Sequence, residues 1–321
     1  MAPFPSGLAR RSLLLLATVG SACAAGSGAA PASPIALETP PGARLQALGG
    51  LVVDEAALGF GGLSGLHLAA DLRLTGISDL ARWMTARLVL QDGRPAGLAG
   101  LRTGRLRDGA GRPLSRGYSG DSESLARLPD GTWLVGFERW HRIRAYAMLD
   151  GPGRYVQAPR GLEHAPGNGG LEAMAVLADG RWLLITEQFT VPGQPGTRHA
   201  WLGEPGKWLP LAYRPQPGLN PVDAAPLPDG GALVLERGFS LLGGFAGRLV
   251  RLPASALTAP QAGAVLEGEE LLHLDPPLPG DNFEGVSAAR IGGRTVVALV
   301  SDDNENPLQR TYLLFFALDD D

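Results

Sequence analysis

Lysine occurs once in the 321-residue chain, at Lys207, and cysteine once, at Cys23. A single cysteine near the N-terminus excludes a disulfide framework and leaves the rest of the chain without a thiol nucleophile. Lys+Arg total 28 against 32 Asp+Glu, a formal charge of -4. That balance offers no basic stripe to neutralise a nucleic-acid backbone, so nucleic acid is not an expected partner. Histidine is scarce too, with five residues, which disfavours a transition-metal site. No apolar run reaches about 18 residues, so no transmembrane segment is expected in the mature chain. The G-x-S-x-G elbow, H-E-x-x-H, the P-loop and the dinucleotide fingerprint are all absent.

What the chain has in excess is glycine, 46 residues, and proline, 27, beside an ordinary 45% of apolar residues. A core can be filled, and the surplus belongs to turns. Arg10 and Arg11 precede the apolar run Leu13 to Leu16, and Ala22-Cys23-Ala24 offers a cleavage site, so residues 1–24 are expected to be an export signal. The arginine pair resembles the twin-arginine signal, although Ala9 stands where a polar residue is usual, and ordinary secretion stays open. Either route implies a periplasmic or secreted protein. Cys23, behind Gly20-Ser21-Ala22, offers lipid anchoring as an alternative. Residues 25–43, rich in Ala, Ser, Gly and Pro, read as a disordered linker, which leaves 44–321 as one domain.

Five short segments recur at intervals of roughly 50 to 60 residues, the period of propeller blades. They are Gly62-Leu63-Ser64-Gly65-Leu66, Asp121-Ser122-Glu123-Ser124-Leu125, Gly170-Leu171-Glu172-Ala173-Met174, Pro221-Val222-Asp223-Ala224-Ala225 and Asn282-Phe283-Glu284-Gly285-Val286. Most are followed by an Asp-Gly turn, at Pro129 to Gly131, Ala178 to Gly180 and Pro228 to Gly230, which marks a hairpin. A second strand then ends on an acid: Asp79, Glu138, Glu187, Glu236 or Asp302. Third strands are expected at Arg87 to Leu90, Arg144 to Met148, Arg198 to Leu202, Arg248 to Leu252 and Arg310 to Phe316. The pattern predicts an all-β propeller of five four-stranded blades, with six as the alternative count. The fifth blade lacks an outer strand unless Leu45 to Val53 closes the ring.

In such a blade the first strand lines the central channel and the second returns beside it. The start of one and the end of the other therefore share a face. Glu123, Glu172, Asp223 and Glu284, with Ser64 in the first blade, form an expected inner set; the five acids ending the second strands form an outer set. Carboxylates so close repel and need cations, hydrogen bonds or bound protons. Arg87, Arg144, Arg198, Arg248 and Arg310 are expected to pair with the outer acids. The inner four, Glu123, Glu172, Asp223 and Glu284, are read either as acceptors for backbone amides or as ligands of a hard divalent cation, Ca2+ ahead of Mg2+. His141, among Arg139, Arg142 and Arg144, is the histidine best placed as a catalytic acid or phosphate contact.

These segments, with Phe137-Glu138-Arg139 and Val300-Ser301-Asp302-Asp303-Asn304, resemble the bacterial phytase-like family named for esterase-like activity, over roughly residues 44 to 319. The resemblance implies a secreted propeller that hydrolyses a small phosphate or carboxylic ester with calcium at the carboxylate-ringed face. In that reading Glu123, Glu172, Asp223 and Glu284 hold cations, Glu172 and His141 serve catalysis, and Arg139, Arg237 and Asn282 bind substrate. Ser64 and Asp223 depart from the glutamate pattern, and no lysine cluster awaits an inositol polyphosphate. A non-catalytic ligand- or protein-binding propeller is the alternative function.

Overall fold

The computed structural model describes residues 30–318; the expected signal lies outside them. An N-terminal pair, β1 (Ala32–Ile35) and β2 (Leu45–Val53), leads into five small sheets. Blade I holds β3 (Leu63–Leu68), β4 (Arg73–Ser78), β5 (Arg82–Gln91) and β6 (Arg94–Arg105). Blade II holds β7 (Ser122–Arg127), β8 (Trp133–Phe137), β9 (Arg142–Tyr146) and β10 (Arg154–Val156). Blade III holds β11 (Leu171–Val176), β12 (Trp182–Thr186), β13 (Arg198–Glu204) and β14 (Lys207–Tyr213). Blade IV starts with β15 (Asn220–Pro226), β16 (Ala232–Ser240) and β17 (Gly244–Leu252). The chain then lends β18 (Val265–Leu266) to blade III and completes blade IV with β19 (Glu269–His273). Blade V holds β20 (Asn282–Ile291), β21 (Arg294–Asp302) and β22 (Tyr312–Leu318).

The molecule is a five-blade propeller, and β2 supplies the missing strand of blade V, pairing antiparallel with β22 from Leu45↔Leu318 to Val52↔Tyr312. The ring is thus shut by the two ends of the described chain. Two blades exceed the expected four strands. β18 adds parallel to β14, and β1 adds outside β2 in the register Ala32↔Val53. Part of the stretch 25–43 read from composition as a disordered linker is therefore a strand: Ala32 is buried, and its partner β2 offers an edge that a polar, Pro-rich segment can still cover.

Apolar residues of the middle strands fill the wedges between blades. Leu51, Leu74, Val297, Leu299, Leu313, Leu314 and Phe316 are all inaccessible to solvent. Polar links stitch the first strands together where the wedge narrows. Ser64 Oγ donates to the Ser122 carbonyl at 2.6 Å, joining blades I and II, and the Leu68 amide donates to Ser287 Oγ at 2.8 Å, joining I and V. Farther along the channel Leu66, Leu125, Met174, Ala224 and Val286 close around a cavity of only about 50 Å³. His67 lines it, edge-on to Trp133 at 5.1 Å, with its pKa lowered to about 4 by burial and then by the Arg127 charge. The opposite end, where first strands begin and second strands end, is the mouth.

Candidate functional site

Each first strand carries a register slip at its start. The pairing skips one residue between Leu63 and Gly65, Ser122 and Ser124, Leu171 and Ala173, and Phe283 and Gly285. The skipped residues are Ser64, Glu123, Glu172 and Glu284. A bulge re-aims its extra side chain out of the ladder, and here it turns three glutamates toward the mouth. In blade IV the slip falls one residue earlier, between Pro221 and Asp223, so Asp223 stays in register opposite Leu235. Its oxygens are spent on backbone: Oδ1 accepts the Ala224 amide and Oδ2 the Val286 amide of blade V, both at 2.8 Å. The structure thus sets Asp223 apart from the other three inner acids as a strut between blades.

Inner and outer acids meet as the blade geometry predicts. Carboxylate oxygens of Asp121, Glu123 and Glu138 lie within 4.8 Å of one another, and so do those of Glu138, Glu172 and Glu187. Glu138 belongs to both trios. All but Glu123 are buried, and Glu123 is partly so. Glu138 is fixed from behind, its Oε1 accepting the amides of Gly169 and Gly170, the latter at 3.3 Å. Gly62 and Gly61 let the backbone come close on the blade I side, where an added Cβ would sit 2.0 Å from Asp79 Oδ1 and 2.2 Å from Asp303 Oδ1.

Packing this many acids together keeps protons on them. Burial, then the charges of Asp121, Asp79 and Glu138, pushes Glu123 well above the usual carboxylate range. Burial, then Glu187, Glu123 and Glu138, does the same to Glu172. Asp79 is raised to about 6 by burial and by Asp121. Asp302 rises to about 8 by burial, opposed by the Asn304 amide and reinforced by Glu284 and Asp79.

Two cations enter the ring. Arg139, with φ of 58°, brings Nε to 2.6 Å from Asp121 Oδ2 and stays half exposed. Arg237 bonds Glu284; burial opposes its charge, and Glu284, Glu172 and Glu187 outweigh that and raise its pKa. Asn282 sits at the start of β20 opposite Asp302, next to this pair, with its Oδ1 buried and unbonded. His141 lies at the loop after β8, where Nε2 reaches the carbonyls of Ala165 (3.2 Å) and Pro166 (2.9 Å). Its Nδ1 is buried against Gly170, whose Cβ would sit 2.0 Å away. The imidazole therefore pins the loop that presents Gly169 and Gly170 to Glu138.

The expected within-blade pairing holds in one blade. Arg248 forks onto Glu236, with Nε to Oε2 at 2.7 Å and Nη2 to Oε1 at 3.1 Å, while Tyr213 donates to the same carboxylate at 2.5 Å. Elsewhere the arginines find other partners. β5 begins at Arg82, so Arg87 falls at the far end opposite Arg73 and bonds the Asp71 carbonyl. Arg144 is turned to the Gly153 carbonyl and the Tyr155 ring, and Arg198 to the Glu187 carbonyl and Asn220. Arg310 precedes β22 and is exposed. Glu138 and Glu187 are left for the mouth. Asp121 was visible in the second opening but carried no assigned role; its place just before the bulge in the opening motif was the available signal.

The family described as phytase-like, esterase-like activity of phytase, matches residues 58–305. The chain belongs to this family. Its fold is shared, at 13% identity, by the α-L-arabinofuranosidase PaAbf62A of Podospora anserina, solved with cellotriose, at a TM-score of 0.51 over 90% of this chain and 97% of that one. The catalytic domain of the GH62 α-L-arabinofuranosidase of Coprinopsis cinerea gives 0.49 at 13% identity, over 89% and 96%. A structure titled a putative gluconolactonase gives 0.45 at 12%, over 88% and 96%. No curated protein sequence matches the phytase-like chain. No helix among its described residues is long and apolar enough to cross a membrane.

Proposed function

We propose that this exported phytase-like propeller is an ester hydrolase, acting on small phosphate or carboxylic esters at the mouth with a divalent cation, Ca2+ ahead of Mg2+. The observation that carries the reading is the pair of carboxylate trios sharing Glu138, oxygen-only donor sets drawn from blades II and III. Buried acids that repel this strongly fit a hard cation, which takes oxygen ligands alone. Asp121, Glu123, Glu138, Glu172 and Glu187 are the proposed holders, with Glu284 beside them and tied to Arg237. A bound cation would offset the repulsion and polarise a phosphoryl or carbonyl oxygen.

The chain's own groups do the rest. Arg139, half exposed at the rim, and Arg237, deeper in the ring, are spaced on two sides of the acids to receive the oxygens of an anionic ester. Asn282 adds a buried amide beside them. Burial and acidic neighbours keep a proton on Glu172 in the cation-free site; a bound cation would displace it and leave Glu172 as the proposed base for the attacking water. His141 acts through Glu138 as a positioning residue. Asp223 has no ligand role here, because both its oxygens are engaged.

The test is calcium titration by calorimetry beside turnover of 4-nitrophenyl phosphate and 4-nitrophenyl acetate. Calcium binding that is lost in Glu138→Gln, with turnover of one ester falling about a hundredfold in Glu172→Gln, is expected. Unchanged turnover in both variants and with chelator, or no ester turned over at all, would overturn the reading.

A further inference from the structure

β16 does not stop where the other second strands stop. β8 and β12 end one residue before their acids, whereas β16 runs four residues past Glu236 and pairs with β17 up to Phe239↔Phe245 and Ser240↔Gly244. At about 3.3 Å per residue the hairpin stands roughly 13 Å beyond the level of the acids. Its tip, Leu241-Leu242-Gly243, is held in shape: Phe239 and Phe245 pack at 5.0 Å across its neck, and Ser240 Oγ accepts the Gly243 amide at 2.9 Å. Leu241 and Leu242 are 94% and 104% exposed, and no charge occurs between Arg237 and Arg248.

Other mouth-side loops carry the same kind of residue. Leu308, between β21 and β22, is 90% exposed, and Tyr118 and Trp140 form an exposed near-parallel pair at the mouth end of blade II. Exposed Arg105 and Arg310 stand on the same rim. Apolar tips that project, rather than line a groove, suit a flat deformable surface, and tryptophan and tyrosine favour the boundary of a bilayer. The start of β1 also lies at this end, since the Asp54 amide donates to the Pro31 carbonyl. A second copy fits less well: the apolar cleft of about 200 Å³ formed by Leu48, Leu72, Leu88, Leu90, Pro95 and Ile291 is at the far end, and a tip-to-cleft contact would build an unclosed row.

We propose that the mouth face docks on a lipid surface, with Leu241 and Leu242 of the β16–β17 hairpin inserted among headgroups and Leu308 and Trp140 resting on them. The proposal does not depend on the hydrolase reading. It is tested on the full chain carrying Cys23→Ser, with an environment-sensitive fluorophore at Leu242→Cys or, on the opposite end, at Asp130→Cys. Vesicles of phosphatidylethanolamine and phosphatidylglycerol should shift the Leu242→Cys emission to the blue and leave Asp130→Cys unchanged, with or without chelator. In unlabelled protein Leu241→Ser with Leu242→Ser should weaken vesicle binding at least about tenfold, since each buried leucine is worth about that factor. Three results would overturn the proposal. They are no shift at Leu242→Cys, equal shifts at both positions, or a shift without vesicles that grows with protein concentration, which would assign the tip to self-association.

Discussion

Single residues at the mouth are constrained by backbone close to them as much as by each other. Gly170 is the sharpest case, because the space for its side chain is already filled by the His141 ring. Gly170→Ala should push the imidazole off the Ala165 and Pro166 carbonyls, free the loop that fixes Glu138, and lower calcium affinity about tenfold or more. Calorimetry reads the affinity, and an unchanged far-ultraviolet spectrum would separate this from unfolding. Asp223 predicts the reverse pattern. Asp223→Ala leaves the Ala224 and Val286 amides buried without acceptors, at a cost of about 3 kcal/mol in chemical denaturation, with calcium affinity nearly unchanged. The residue identities at these places were readable in the sequence, but their roles were not. Asp223 occupies the repeat position of a mouth acid, and only the one-residue displacement of its bulge turns it into an inter-blade acceptor.

Elements were more legible than residues. The recurring openings, with a hairpin turn after most of them, located all five first and second strands, and the terminal strand Leu45–Val53 was predictable because blade V ran out of sequence. Third-strand starts were legible only in part: β13 begins at Arg198 as expected, but β5 starts five residues before Arg87 and β9 two before Arg144. That uncertainty is what misplaced Arg87 and Arg144 as partners of Asp79 and Glu138. The prolongation of β16 was likewise hidden, because Phe239, Leu241 and Leu242 read as any apolar stretch until their exposure is known. The N-terminal pair of strands supports a graded prediction. Removing residues up to 36 deletes β1, of which only Ala32 is buried, and should lower the melting temperature by a few degrees, about 1 kcal/mol. Removing residues up to 53 takes away Leu45, Leu51 and Val53 as well, roughly 6 kcal/mol of burial against a total stability of about 5 to 15. Loss of the cooperative thermal transition is expected for that truncation alone.

For the molecule as a whole, the ring of acids ties stability to pH. Asp79 and Asp302 hold their protons to about 6 and about 8, against an ordinary value of 3.8. A group whose folded pKa is raised adds stability below its unfolded pKa and loses it as pH climbs through the folded one. The cation-free protein should therefore be most stable near pH 4 and weaken steadily toward pH 8. Added calcium should restore the loss, and restore more of it the higher the pH, because it binds the deprotonated acids. Melting temperatures between pH 4 and 8, with chelator and with calcium, check both slopes; a flat profile would mean that the acids are neutralised in some other way.

Blade V borrows its outer strands from the chain before blade I and takes its inner three from the chain after blade IV. During synthesis the earliest residues must wait, their edge unmet, until Leu318 has cleared the ribosome, so the last blade cannot be made piecemeal. A premature stop between Ile291 and Leu318 then forfeits more than one sheet: it leaves an open ring whose two exposed borders are both ready to pair with a stranger.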